Sequence, residues 1–107
     1  MPQMQYRYRI QVQTPMGMRR GFLELTLGGP ALTGVLTVMG RREPVEGILN
    51  KDGSCTLRGR LRALSKEFVF SAVGRVDCQG LTLTVTSGRS TFQVTGIACP
   101  RTEEETG

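Results

Sequence analysis

The 107-residue sequence contains no histidine and no tryptophan. Without histidine the chain lacks the commonest general base, the commonest metal ligand and every histidine-activated nucleophile. Cysteine is scarce and odd in number: Cys55, Cys78 and Cys99 have no C-x-x-C spacing, which argues against a secreted disulfide framework and against a structural zinc site. Free thiols, no metal and no cofactor are therefore expected. No apolar run reaches the length of a membrane helix, and the opening residues MPQMQYRYRI hold no uninterrupted hydrophobic stretch of the signal-peptide kind. The expectation is a cytoplasmic chain with no membrane association. Also missing is any convincing apolar stripe with the 3.6-residue period of a helix.

What is present is alternation. Turn signals fall at Thr14–Gly17, Gly28–Pro30, Gly40–Arg41, Asn50–Gly53, Leu64–Glu67, Asp77–Gly80 and Ser87–Arg89. Between them lie short segments rich in Thr, Val, Leu and Phe that alternate in polarity every second residue, the mark of half-buried strands. Seven turns give eight strands within one domain, residues 1–100, followed by an acidic segment, 101–107, that carries Glu103, Glu104 and Glu105 and reads as a disordered tail.

The parity assigns faces. Tyr6, Tyr8, Ile10, Leu23, Leu25, Leu36, Leu57, Phe68, Phe70, Leu83 and Val94 fall on one side, and threonines, glutamines and arginines on the other. Six glycines, Gly21, Gly34, Gly47, Gly59, Gly74 and Gly96, share the parity of the leucines. An inward position without a Cβ lets a strand coil and neighbouring walls approach, so the layer points either to strong curvature or to a hollow. The fold expected is all-β: an eight-stranded antiparallel up-and-down barrel, partly open near strand four where Pro44 permits a break, with a sandwich or an open barrel as alternatives. A Gly40-Arg41 loop would set Gly34 opposite Gly47. If Gly59 faces Gly74, Cys55 faces Cys78.

Eight short strands in meander order from Met4 to Cys99 resemble the calycin group of small barrels, which includes lipocalins and streptavidin-like proteins. The resemblance is one of topology. The G-x-W of lipocalins and the tryptophan-walled biotin site have no counterpart here, so no site residue is carried over. It implies a small-molecule site inside a barrel without naming the molecule.

Charge then sorts by barrel end, because alternate turns of a meander share an end. One end gathers Arg19, Arg20, Arg41, Arg42, Lys66 and Arg89 against Glu43 and Glu67; the other gathers Asp52, Asp77 and the glutamate tail against Lys51 and Arg101. The leading functional expectation is a non-catalytic binding protein for a small anionic or amphipathic ligand at the basic mouth, with its apolar part near Tyr8, Phe68 or Phe70. The alternative is a homo-oligomeric interaction module with a filled barrel, using an outward apolar patch of Phe22, Val35 and Ile48 on three consecutive strands. Catalysis is not expected: Glu24 and Glu46 point outward and Asp52 and Asp77 lie in turns, so no nucleophile and base pair assembles. Nucleic acid is disfavoured too, because Tyr6 and Tyr8 point away from Arg7 and Arg9 and cannot form one stacking platform.

Overall fold

The computed structural model describes residues 4–14, 17–38, 40–63 and 66–99, with the backbone alone at positions 4, 14, 61–63, 66 and 68. Eight strands follow one another: β1 (Met4–Thr14), β2 (Gly17–Gly28), β3 (Ala31–Val38), β4 (Arg41–Leu49), β5 (Ser54–Ala63), β6 (Lys66–Val76), β7 (Gly80–Ser87) and β8 (Ser90–Ala98). Each pairs antiparallel with the next and β8 returns to β1, closing an up-and-down barrel. No helix long and apolar enough to cross a membrane occurs among the described residues.

Alternation places the core. Tyr8, Ile10, Leu23, Leu25, Leu32, Val45, Leu57, Leu81, Leu83 and Val94 join Cys55, Ala72 and Val76 in one contiguous buried cluster, and no polar or charged residue is buried among the described residues. Leucines of β2, β3, β5 and β7 pack into this cluster, while other inward residues, Val12, Leu36, Phe70 and Val85 among them, are only partly buried.

Four of the six inward glycines, Gly21, Gly34, Gly47 and Gly74, serve curvature. A Cβ at Gly47 would overlap the backbone carbonyl of Thr56, and one at Gly74 that of Thr82. Each marks a place where the neighbouring strand comes too close for any side chain, which answers to bending of the wall and not to a hollow.

Two registers differ from the expectation. Val38 pairs with Arg41, so the loop is Met39-Gly40 and Gly34 stands opposite Val45, with Gly47 opposite Leu32. Gly40 takes the second loop position at φ +74°, the left-handed region that a two-residue hairpin demands. On β5 and β6, Gly59 faces Phe70 and Cys55 faces Gly74, because Ala63 already pairs with Lys66 and the hairpin closes tighter than the turn signal suggested. Cys78 lies beyond the end of β6, and Cys55, Cys78 and Cys99 are free thiols.

The two halves of the barrel repeat one another. Ala31 to Gly80, Val38 to Ser87, Arg41 to Ser90 and Leu49 to Ala98 are each 49 residues, and the same offset carries β2 onto β6. Hairpin registers repeat as well: Gly28↔Ala31 with its neighbour Leu27↔Leu32 maps onto Val76↔Leu81, and Val45↔Gly34 onto Val94↔Leu83. Identical residues survive at Leu32/Leu81, Thr33/Thr82, Thr37/Thr86, Val45/Val94, Gly47/Gly96 and Ile48/Ile97.

The repeat breaks at the two seams. β8 and β1 pair from Tyr8↔Ala98 to Gln13↔Gln93. The corresponding β4–β5 ladder is displaced by two residues and stops at Val45↔Gly59. Pro44 occupies the place that Gln93 holds in the other half, and proline has no N–H to give a ladder. The opening expected beside Pro44 is thus a local divergence of two strands within a closed barrel.

Candidate functional site

All four turns that follow β1, β3, β5 and β7 lie at one end of the barrel, as the meander requires. That end receives Arg19 and Arg20 from the start of β2, Arg41 and Arg42 from the start of β4, and Arg89 from the β7–β8 turn. All five are exposed. Lys66 begins β6 at the same end, but its side chain lies outside the described residues. Strand parity divides the arginines. Arg19 opposes Val12 and Arg41 opposes Val38, both on the inner face, whereas Arg20 and Arg42 oppose Gln11 and Thr37 on the outer wall.

Neutralisation is uneven. Arg42 reaches Glu24 at 4.0 Å, and Glu24 is shared with Arg7 at 3.9 Å. Arg60 pairs with Glu67 at 3.7 Å and Arg58 with Glu46 at 3.8 Å. Among the described residues, Arg19, Arg20, Arg41 and Arg89 have no acidic partner. Four uncompensated guanidinium groups on one rim create a field that draws an anion, and each can hold a carboxylate or phosphate through paired N–H donors. Beneath them, Val12, Leu36, Phe70, Val85 and Phe92 are half-buried inner-face residues, an apolar floor below a charged rim.

The interior residues divide. Phe70 lies near this floor, and the Phe68 side chain is outside the described residues. Tyr8 is fully buried, and its hydroxyl donates to the Asp77 carbonyl oxygen at 2.7 Å, at the opposite end of the barrel. Burial, with smaller contributions from Tyr6 and Asp77, pushes its phenol far above the ordinary tyrosine range. Tyr8 is a core residue and not part of the mouth.

The expected outer patch is not continuous. Phe22 opposes Thr37, Val35 opposes Glu24 and Pro44, and Ile48 opposes Ala31 and Thr56, four residues farther along β4 than Pro44. The Arg7 guanidinium covers the Phe22 ring at 4.3 Å from its centroid, which accounts for that side chain without a partner. Ile48 instead lies in a row with Thr56 and Val73, and Val69 and Ile97 are further exposed apolar residues of the wall. Even-numbered register slips made these neighbours invisible to parity.

At the far end the aspartates shape turns. Asp52 accepts from the Ser54 amide at 2.9 Å and its hydroxyl at 2.6 Å, and Asp77 accepts from the Gln79 and Gly80 amides at 2.8 and 2.9 Å. These hydrogen bonds hold both carboxyls below their ordinary pKa. Arg75 is engaged there with the Asp52 carbonyl. Among the described residues no group of three or more acidic or cysteine side chains could hold a metal ion.

Comparison of the chain with protein-family models, curated proteins and solved structures returns no match. The barrel and its rim are the basis for a functional reading.

Proposed function

We propose that this chain is a non-catalytic binding protein that holds a small anionic or amphipathic ligand at the rim of the barrel. The observation that carries the reading is the set of four exposed arginines, Arg19, Arg20, Arg41 and Arg89, gathered at one end without acidic partners among the described residues. Arg42 and Lys66 complete the set. With Tyr8, Leu25, Leu57 and Leu83 packed in one buried cluster, the ligand sits at the mouth, where an acyl or aryl portion would lie over Phe70, Val85 and Phe92. This extends the calycin-like resemblance, with the site displaced outward, and a cytoplasmic location belongs to the same reading.

A second reading, a homo-oligomeric module, is favoured by that same buried cluster and by the exposed Ile48, Val69, Val73 and Ile97.

Calorimetric titration with citrate, pyrophosphate and laurate at low and high salt tests the mouth. Arg41→Glu with Arg42→Glu removes two rim contacts of about 1 kcal/mol each, so affinity should fall roughly 30-fold. Binding should also weaken as salt rises. Unchanged affinity in the double variant would remove the reading.

A further inference from the structure

The divergence beside Pro44 leaves strand edges without partners at the basic mouth. From Arg41 to Pro44, β4 pairs only with β3; from Arg60 to Ala63, β5 pairs only with β6. Each edge is a row of backbone donors and acceptors with no neighbour on that side among the described residues. Such an edge is a template for one more strand. On the outer edge of β6 the corresponding row is partly closed by the Ser87 hydroxyl, which donates to the Val69 carbonyl at 3.0 Å. Among the described residues the β4–β5 edges have no such cover.

Charge selects the occupant. Arg41 and Arg42 stand on opposite faces of β4, and Arg60 is exposed on the outer face of β5. Arg42 and Arg60 face Glu24 and Glu67 at 4.0 and 3.7 Å, loose surface pairs that exchange for an incoming carboxylate at little cost. A strand entering between them is matched when it carries carboxylates on both of its faces, which means acids at consecutive positions. The sequence holds one such run, Glu103-Glu104-Glu105. It follows β8, which ends at the opposite rim on a wall remote from the β4–β5 seam. From Cys99 to Glu105 an extended chain reaches about 20 Å. A nine-residue strand such as β4 spans about 30 Å from rim to rim, so the run falls short of its own seam.

We propose that the opening between β4 and β5 receives residues 102–105 of a second copy as an added strand, giving a heterologous, head-to-tail assembly. The proposal rests on the basic-mouth reading and names its anion.

The test uses the full chain. Sedimentation velocity at low salt should show a mass that grows with concentration, and a Glu103→Gln, Glu104→Gln, Glu105→Gln variant should remain a single copy. A synthetic peptide of residues 100–107 should bind that variant, and the same peptide with glutamines in place of its three glutamates should bind at least about tenfold more weakly. Pro44→Gln, which restores an N–H to the ladder, should abolish peptide binding while citrate binding persists. Equal self-association of the glutamine variant, or equal binding of both peptides, would overturn the proposal. Citrate binding without peptide binding rejects the strand insertion and leaves the mouth reading standing; binding of neither removes both.

Discussion

Gly47 and Gly96 occupy the same position in the two halves of the barrel, yet alanine should affect them very differently. At Gly47 the added methyl would overlap the Thr56 carbonyl, with the Leu57 Cα next at 2.9 Å. Both are backbone atoms of β5, so relief requires β4 and β5 to separate. Overpacking costs about 1–3 kcal/mol, and losing one or two bonds of this short ladder adds about 1 kcal/mol each. Alanine returns about 0.4–1 kcal/mol by restricting the unfolded chain. The net loss is about 1–4.5 kcal/mol, centred near 3. At Gly96 the methyl would meet Ile10 Cγ2 at 3.0 Å and Leu81 Cγ at 3.1 Å, side-chain atoms that can move by a few tenths of an ångström, with the Arg9 carbonyl oxygen at 3.3 Å. Here the repacking cost, about 1 kcal/mol, is nearly cancelled by the same gain. Urea unfolding of the two variants under identical conditions measures the difference. A Gly96→Ala variant as unstable as Gly47→Ala would refute the argument that approach of backbone, and not crowding of the core, fixes Gly47.

Three further outcomes follow from the same geometry. Pro44→Gln should extend the β4–β5 ladder, and amide exchange between residues 60 and 63 should slow about tenfold for each bond gained; unchanged exchange would mean that another feature holds the seam apart. Tyr8→Phe should cost about 1–2 kcal/mol through the lost bond to the Asp77 carbonyl, and because the folded phenol is raised, the stability it contributes should be whole below pH 10 and fall above it, measured as urea midpoints of wild type and variant from pH 8 to 11. Burial pushes the Cys55 thiol up, so alkylation at neutral pH should modify exposed Cys78 quickly and Cys55 only on unfolding; fast labelling of Cys55 would contradict its place in the core.

Parity made the strands legible. The alternation through Leu23, Leu25 and Leu27, or through Leu81, Leu83 and Val85, has one reading, and the structure places those residues as it implies. Register was less legible because period two is blind to even slips. Moving Gly47 from opposite Gly34 to opposite Leu32, or Cys55 from opposite Cys78 to opposite Gly74, returns every side chain to the same face. The mouth could be placed from turn order alone, since Arg19, Arg41 and Arg89 need only the meander to share an end. The outer patch could not, because Val35 and Ile48 are neighbours only in the wrong register. The repeat is faint in sequence, for β1–β2 and β5–β6 share Arg9/Arg58 as their one identity. Side chains there differ between the halves, while backbone pairing repeats.

The repeat implies that chain order is not what holds the barrel together. β1 begins and β8 ends at the same rim, on adjacent strands, with the Cys99 amide donating to the Arg7 carbonyl at 2.8 Å. The loop from Leu49 to Cys55 is the equivalent crossing between the halves. A circular permutant that opens at Ser54 and runs β5 through β8 into β1 through β4, with a short Gly-Ser bridge after Cys99, makes every ladder of the present fold. Its first and last strands would be β5 and β4, held together by the ladder that runs from Leu49↔Cys55 and stops at Val45↔Gly59, so the barrel would close through the same seam that Pro44 interrupts.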